Sequence, residues 1–172
     1  MENLKYPIGE LALKDSYTLE ETTEHIAYLK NFPSFLKETI KDITEEQLET
    51  AYRPGGWTAK QVIHHISDSH TQMLTRIKWT LTEETPTIKA YFEDRWANLS
   101  DYKLPFDVSV NLIEGIHIKV VALAESLDSQ ELKKSYLHPE NGQYYSLEKV
   151  LALYTWHSKH HLAHIKICKG EW

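Results

Sequence analysis

Histidines are the residues of this sequence whose number and spacing most directly suggest chemistry. The 172-residue chain contains ten of them, and two short clusters hold six: a doublet at 64–65 and four residues between 157 and 164. Clustered histidines are a compositional sign of metal binding. Neutral imidazole is a ligand for zinc, nickel, copper and iron(II), so metal binding depends on which of these rings can face one another.

Helical periodicity places two histidines of the second cluster on an apolar face. Residues four apart lie on one side of an α-helix, so His157 stacks with His161. On a helical wheel both fall inside the apolar stripe of residues 147–165, whereas His160 and His164 lie on its flank or outside it. Burying two imidazoles that face each other is costly unless both are satisfied. A shared cation would satisfy them.

The histidine doublet can contribute a third nitrogen from another helix. On a wheel centred on Ile66, His65 lies to one side of the apolar stripe and His64 points almost directly away from it. The candidate metal ligands are therefore His65, His157 and His161. Three protein nitrogens leave one coordination position open, whereas structural zinc sites are normally closed by four ligands. The set predicts a Lewis-acidic centre that makes a bound water or thiol nucleophilic at neutral pH.

Four long amphipathic segments must position these histidines. Capping-box patterns begin the first two segments at Thr18 and Thr58, the third opens at residues 105–107, and Ser146 caps the fourth. Pro33 predicts a kink in the first helix. We therefore predict an all-α fold: an antiparallel four-helix bundle with a long connection between the second and third bundle helices. Such bundles build metal sites from inward side chains on facing helices.

The remaining segments connect or cover these helices. Residues 1–17 are predicted to be an N-terminal arm, and residues 44–48 one additional helical turn. Residues 81–105 are a long connection whose aromatic side chains either line a pocket or pack over the end of the bundle. Residues 136–145 suit either a short hairpin or a plain turn. On the third helix, His117 is expected to be capped or solvated.

Other polar residues close to the predicted ligands have several interpretations. His70 lies near the apolar stripe of the second helix, whereas Asp68 points away from it beside His64. These last two either pair on the outer face or support the site as second-shell residues. Arg53 and Arg76 either bind an anionic group of a substrate or are solvated. None of these residues is assigned a catalytic role.

Composition excludes several other classes of protein. The length and 41% hydrophobic content fit one domain spanning residues 1–172. The net charge of -6, with basic and acidic residues interleaved, makes nucleic acid a poor partner. A membrane span and a signal peptide are not expected, so we predict a cytoplasmic protein. The single cysteine, Cys168, cannot form an internal disulfide and is expected to be an incidental residue.

Several long motifs resemble those of a known family. The sequence resembles the DinB-like superfamily, in its branch of metal-dependent hydrolases and bacillithiol transferases. The resemblance extends over nearly the whole chain from Tyr6 onward, and its motifs are residues 52–58, 61–70, 81–86, 136–139 and 153–165.

The resemblance implies a cytoplasmic, homodimeric four-helix bundle that binds one divalent ion, zinc or nickel, through three histidines. The family's ligand positions fall on His65, His157 and His161, the three residues that the wheels select. Lys159 stands where some relatives have another histidine, but it is not at a ligand position.

The resemblance also implies two possible functions, and a third hypothesis, of a different class, does not depend on it. The first is a hydrolase whose metal activates water against a small electrophilic substrate. The alternative is a thiol S-transferase that uses bacillithiol or a similar low-molecular-weight thiol as co-substrate. The second alternative is a non-catalytic bundle in which the metal only joins the helices.

Overall fold

Four long helices dominate the computed structural model, which describes residues 4–172. In chain order the helices are α1 (Leu19–Ile40), α2 (Glu45–Leu48), α3 (Ala59–Thr82), α4 (Glu93–Trp96), α5 (Asp107–Ala124) and α6 (Leu147–Lys169). The long helices α1, α3, α5 and α6 pack together, so the predicted four-helix bundle is confirmed. No described helix has the length and hydrophobicity needed to span a membrane.

The helices begin where the sequence predicts because their first amide groups are satisfied locally. Thr18, Thr44 and Thr58 each accept a hydrogen bond from the amide three residues later, and that residue's side chain accepts from the threonine amide. Such reciprocal caps stabilise helix N-termini. Ser146 occupies the corresponding position before α6, but its side chain makes no capping hydrogen bond.

The helix order around the bundle differs from the order in the chain. α1 packs on α5 and α6, and α3 packs on the same two helices, so α1 and α3 lie on a diagonal. The ion pairs Lys30–Glu125 and Lys37–Glu114 show that α1 and α5 run antiparallel. His65 contacts His161 and His70 contacts His157, so α3 and α6 also run antiparallel.

The other two neighbouring pairs, α3 with α5 and α1 with α6, run parallel. The parallel packing of α3 on α5 explains the long connection between them. His64 contacts Ser109 and His70 contacts His117, so residue numbers rise together along α3 and α5. A 24-residue helix such as α3 is about 36 Å long. The chain must return over that length before α5 can begin, and residues 83–106 make this return.

A short hairpin precedes α6. Strand β1 (Ser135–His138) pairs antiparallel with β2 (Gln143–Ser146), so the hairpin alternative is confirmed. Gly142 has a φ of 67°, a conformation that favours glycine in the turn. The amide of Ile88 donates to the carbonyl of Leu137, which joins the long connection to the hairpin.

A layer of histidines divides the apolar core in two. On α3, His70 lies between Ile66 of one apolar cluster and Met73 of the other. On α5, His117 likewise lies between Ile113 and Val120. Both rings are buried, with 0% and 1% of their surface exposed. Polar groups in such an interior need hydrogen-bond partners or a bound ion.

Candidate metal centre

Three histidines from two helices converge at one point. α3 supplies His65 and α6 supplies His157 and His161, and one ring nitrogen from each lies within 4.8 Å of the other two. The Nε2 atoms of His65 and His157 are 3.2 Å apart. The structure therefore brings together the three residues that the sequence singles out. Their role as metal ligands stays a prediction.

The chemistry of this group fits a divalent ion. Two nitrogens bound tetrahedrally at zinc–nitrogen distances lie about 3.3 Å apart, close to the observed separation. Burial lowers the pKa of His65 to about 4 and lowers the pKa values of His157 and His161 well below the ordinary value. The rings are therefore neutral at pH 7, the form that binds metals. Within residues 4–172 no carboxylate or thiol joins these three ligands.

A chain of hydrogen bonds extends from the Nδ1 atom of His157 into the interior of the bundle. His117 Nδ1 lies 2.6 Å from the Leu29 carbonyl oxygen, His70 Nδ1 lies 2.8 Å from His117 Nε2, and His157 Nδ1 lies 3.3 Å from His70 Nε2. Because a carbonyl only accepts, each ring in turn must donate from Nδ1. This histidine chain (Leu29 carbonyl, His117, His70 and His157) leaves the lone pair of His157 on Nε2, the atom that faces His65.

Pro33 makes the carbonyl of Leu29 available to this chain. In an uninterrupted helix the amide of residue 33 would donate to the carbonyl of residue 29. Proline has no amide hydrogen, so that helical bond is absent. The Nδ1–H group of His117 donates to this carbonyl instead.

The other side of the site is supported by stacked rings. His161 Nδ1 lies 3.3 Å from His164 Nδ1, and the His164 ring stacks on Tyr52 with centroids 3.8 Å apart. His160 stacks on Trp156 at 4.4 Å, and His160, His161 and His164 form a second group of close nitrogens. The wheel places His160 and His164 on the flank of the stripe, yet both are buried, with 7% and 2% exposure.

A cavity of about 370 Å³ opens beside the three predicted ligands. Its other lining residues include Trp57, Tyr91, Arg76 and His138. Tyr91 comes from the long connection, and its ring lies 4.6 Å from that of Trp96. The connection therefore lines the pocket, one of the two roles that its aromatic residues suggest.

For two predictions about neighbouring residues, the structure excludes one of the alternatives. His64 and Asp68 do not pair: His64 Nδ1 lies 2.7 Å from the Ser109 hydroxyl, and Asp68 accepts from the Tyr102 hydroxyl at 2.7 Å. The long connection and α5 cover this face, which the wheel treats as exposed. His117 is not solvated, because α1 and α3 enclose it. Its place in the histidine chain depends on contacts between helices, and no local sequence signal reveals those.

Arg53 and Cys168 are not part of the candidate metal centre. The Arg53 guanidinium lies over the Tyr52 ring at 5.5 Å and does not line the cavity. Cys168 is buried, and burial raises the pKa of its thiol to about 11. A thiol with that pKa is protonated at neutral pH and unreactive.

Comparison with known proteins shows which family the chain belongs to. The family model of the DinB superfamily matches residues 28–165, which include all three predicted ligands. The chain belongs to the DinB superfamily. Within this superfamily it is 45% identical over 170 residues to a protein of Oceanobacillus iheyensis named as a candidate metal-dependent hydrolase, and the match covers 98% of both chains. A similarly named protein of Bacillus cereus is 45% identical over 165 residues, covering 96% of this chain and 95% of the relative.

A solved structure of the same type agrees with this DinB-superfamily fold. YfiT from Bacillus subtilis is described as a probable metal-dependent hydrolase with an unusual four-helix bundle topology. It superposes with a TM-score of 0.94 and is 41% identical, with 98% of this chain and 97% of YfiT covered. The present bundle differs from a simple up-and-down bundle because its first two long helices, α1 and α3, lie on a diagonal.

Proposed function

We propose that this protein is a metal-dependent hydrolase in which His65, His157 and His161 hold one divalent ion, zinc or nickel. The observation that supports this most strongly is the convergence of three neutral imidazoles, without a fourth protein ligand among residues 4–172, at the wall of a cavity. A divalent ion held in this way supplies Lewis acidity and lowers the pKa of bound water to about 7. Held by these three histidines, the ion would allow water to serve as the nucleophile towards a small electrophilic substrate.

The protein's own residues prepare this reaction in three ways. Burial keeps the ligand rings unprotonated, and the histidine chain fixes the tautomer and orientation of His157. Outer partners of this kind raise the basicity of a metal-bound imidazole. The cavity volume of about 370 Å³ is in the range of sites for small organic molecules.

Elemental analysis of the purified protein tests the metal site directly. We expect about one equivalent of zinc or nickel per chain in the wild type, and a large loss in His65→Ala, His157→Ala and His161→Ala. His64→Ala is the matched control, because His64 is equally buried but bonds to Ser109 and Leu104. Full metal content in all three ligand variants would reject the assignment.

The same centre would also suit a thiol, which makes a thiol S-transferase the alternative function. An open metal position accepts a sulfur ligand as readily as water, and the cavity extends beyond the three histidines to Tyr91 and His138. Incubation with an epoxide or a chlorinated aromatic compound, with and without bacillithiol, separates the two reactions. Turnover without thiol supports the hydrolase, and turnover only with thiol supports the transferase.

The third candidate function, in which the metal has only a structural role, can be tested separately. If the ion only joins α3 and α6, no added ligand should reach it. The visible spectrum of cobalt-substituted protein should then be unchanged by azide. A spectral shift with azide shows that a coordination position is accessible, as catalysis requires.

A further inference from the structure

Arg76 on α3 is a buried cation whose neighbours include the phenols of Tyr136 and Tyr154, which carry no charge. Only 8% of its surface is exposed, and its Nε atom has no hydrogen-bond partner. Its Nη2 group donates to the Lys89 carbonyl across a long distance of 3.5 Å. Within the described residues 4–172, no carboxylate lies within 4 Å of the guanidinium.

The groups around Arg76 do not neutralise its charge. Burial raises the pKa values of the phenols of Tyr136 and Tyr154, so both are uncharged at neutral pH. Burial and the charge of Arg76 lower the pKa of His138, which keeps that ring neutral as well. A guanidinium does not lose its proton in proteins, and a buried charge without a counter-ion is costly. Such a charge is expected to have a partner that comes from outside the chain.

Arg76 and the predicted metal ligands share one cavity. His65 and Arg76 both line it. They are eleven positions apart on α3, so they lie on nearly the same helix face, about 16 Å apart along the axis. Tyr154 lies between the two points, because its phenol interacts with Arg76 and its ring centroid lies 5.8 Å from that of His157. Lys5 is a second basic residue of the lining. The two glutamates of the lining, Glu93 and Glu140, are exposed.

We propose that Arg76 binds a carboxylate on an elongated substrate or co-substrate whose reactive end lies at His65, His157 and His161. The planar guanidinium matches a carboxylate with two parallel hydrogen bonds. The spacing along α3 requires a ligand long enough to reach both points. This proposal rests on the proposed metal-dependent function and adds to it the chemical class of the ligand.

Thiols with and without a terminal carboxylate test this assignment on cobalt-substituted protein. The probes are ω-mercaptoalkanoates, from mercaptopropionate to mercaptoundecanoate, and the ω-mercaptoalcohols of equal length. Cobalt–thiolate absorption reports binding at the metal. In the wild type we expect the acid of suitable length to bind at least about tenfold more tightly than its alcohol, the size of a charge-assisted contact.

The variant Arg76→Gln should abolish this preference while retaining thiol binding, and Arg76→Lys should retain part of it. Arg95→Gln is the matched control, because it removes the same charge from an exposed residue. Melting temperature serves as a second readout: losing an unpaired buried charge should leave the apo protein of Arg76→Gln at least as stable as the wild type.

Four outcomes distinguish the possible failures. Equal affinity for acids and alcohols of every length in the wild type overturns the role of Arg76, although the cobalt spectrum would still show an accessible metal. A preference that persists in Arg76→Gln also overturns it. Absence of any cobalt–thiolate absorption, with acid or alcohol, rejects an accessible position on the metal, and absence of any spectrum from bound cobalt rejects the metal centre itself. If Arg76→Gln does not fold, the wild-type comparison and Arg76→Lys decide the question.

Discussion

His70 is the residue through which the interior of the bundle acts on the predicted metal ligand. Its Nε2 atom can accept only if its Nδ1 atom donates, and the His117 ring fixes that arrangement. His157 is thereby held with its Nε2 lone pair towards His65. A ring with the opposite tautomer would present an N–H group to the ion and could not bind it.

Replacing His70 with leucine should therefore weaken metal binding without removing a ligand. We expect the dissociation constant for zinc to rise about 10- to 100-fold, the usual effect of losing an outer partner of a metal-bound histidine. Competition with a chromophoric chelator measures this. His64→Leu is the control, since it also removes a buried imidazole from α3 but leaves the histidine chain intact. Equal losses of affinity in both variants would mean that the effect is general destabilisation.

Pro33 acts at the scale of the helix, because it removes a backbone bond of α1 that would compete for the Leu29 carbonyl. Pro33→Ala restores an amide hydrogen at this position. We expect the helix to become as stable or more stable, since proline is unfavourable in helix interiors, but metal affinity to fall several-fold as the anchor of His117 weakens. Thermal melts of the apo protein and chelator competition measure the two effects separately. Unchanged affinity would show that the carbonyl accepts both donors without cost.

Helix positions and the three ligand candidates could be predicted from the sequence because both depend on local patterns. Capping boxes mark where α1 and α3 begin, and periodicity places His157 and His161 on one apolar face. The parallel packing of α3 on α5 could not be predicted in this way, because it depends on contacts between distant segments. For the same reason the burial of His64 and the role of His117 could not be predicted from their own helices.

Metal binding should stabilise the whole molecule, because the predicted ligands belong to two helices that are far apart in sequence. An ion that binds only the folded state at 100 times its dissociation constant adds about 2.7 kcal/mol. For a chain of this length we expect the melting temperature to rise by about 5–10 °C. Differential scanning calorimetry with and without zinc measures the change, and His157→Ala should show little of it. An equal rise in that variant would indicate binding elsewhere.

The acid stability of the metal-free protein follows from its buried imidazoles. Burial lowers the pKa values of His65 and His117 to about 4, whereas histidines of the unfolded chain titrate near 6.5. Between these values the unfolded state binds more protons, so stability falls as the pH falls through this window and is fully present above it. One such histidine changes the free energy of unfolding by about 3 kcal/mol across the window.

Total stabilities of only about 5–15 kcal/mol mean that a few such histidines suffice to unfold the apo protein in mild acid. Urea titrations at pH values from 8 to about 5 should show the free energy of unfolding decreasing, with a slope that reports uptake of more than one proton. The zinc-loaded protein should lose stability more steeply, because protons also compete with the ion for the same nitrogens. A free energy of unfolding that stays constant over this range would mean that the histidine layer is open to protons in the folded state.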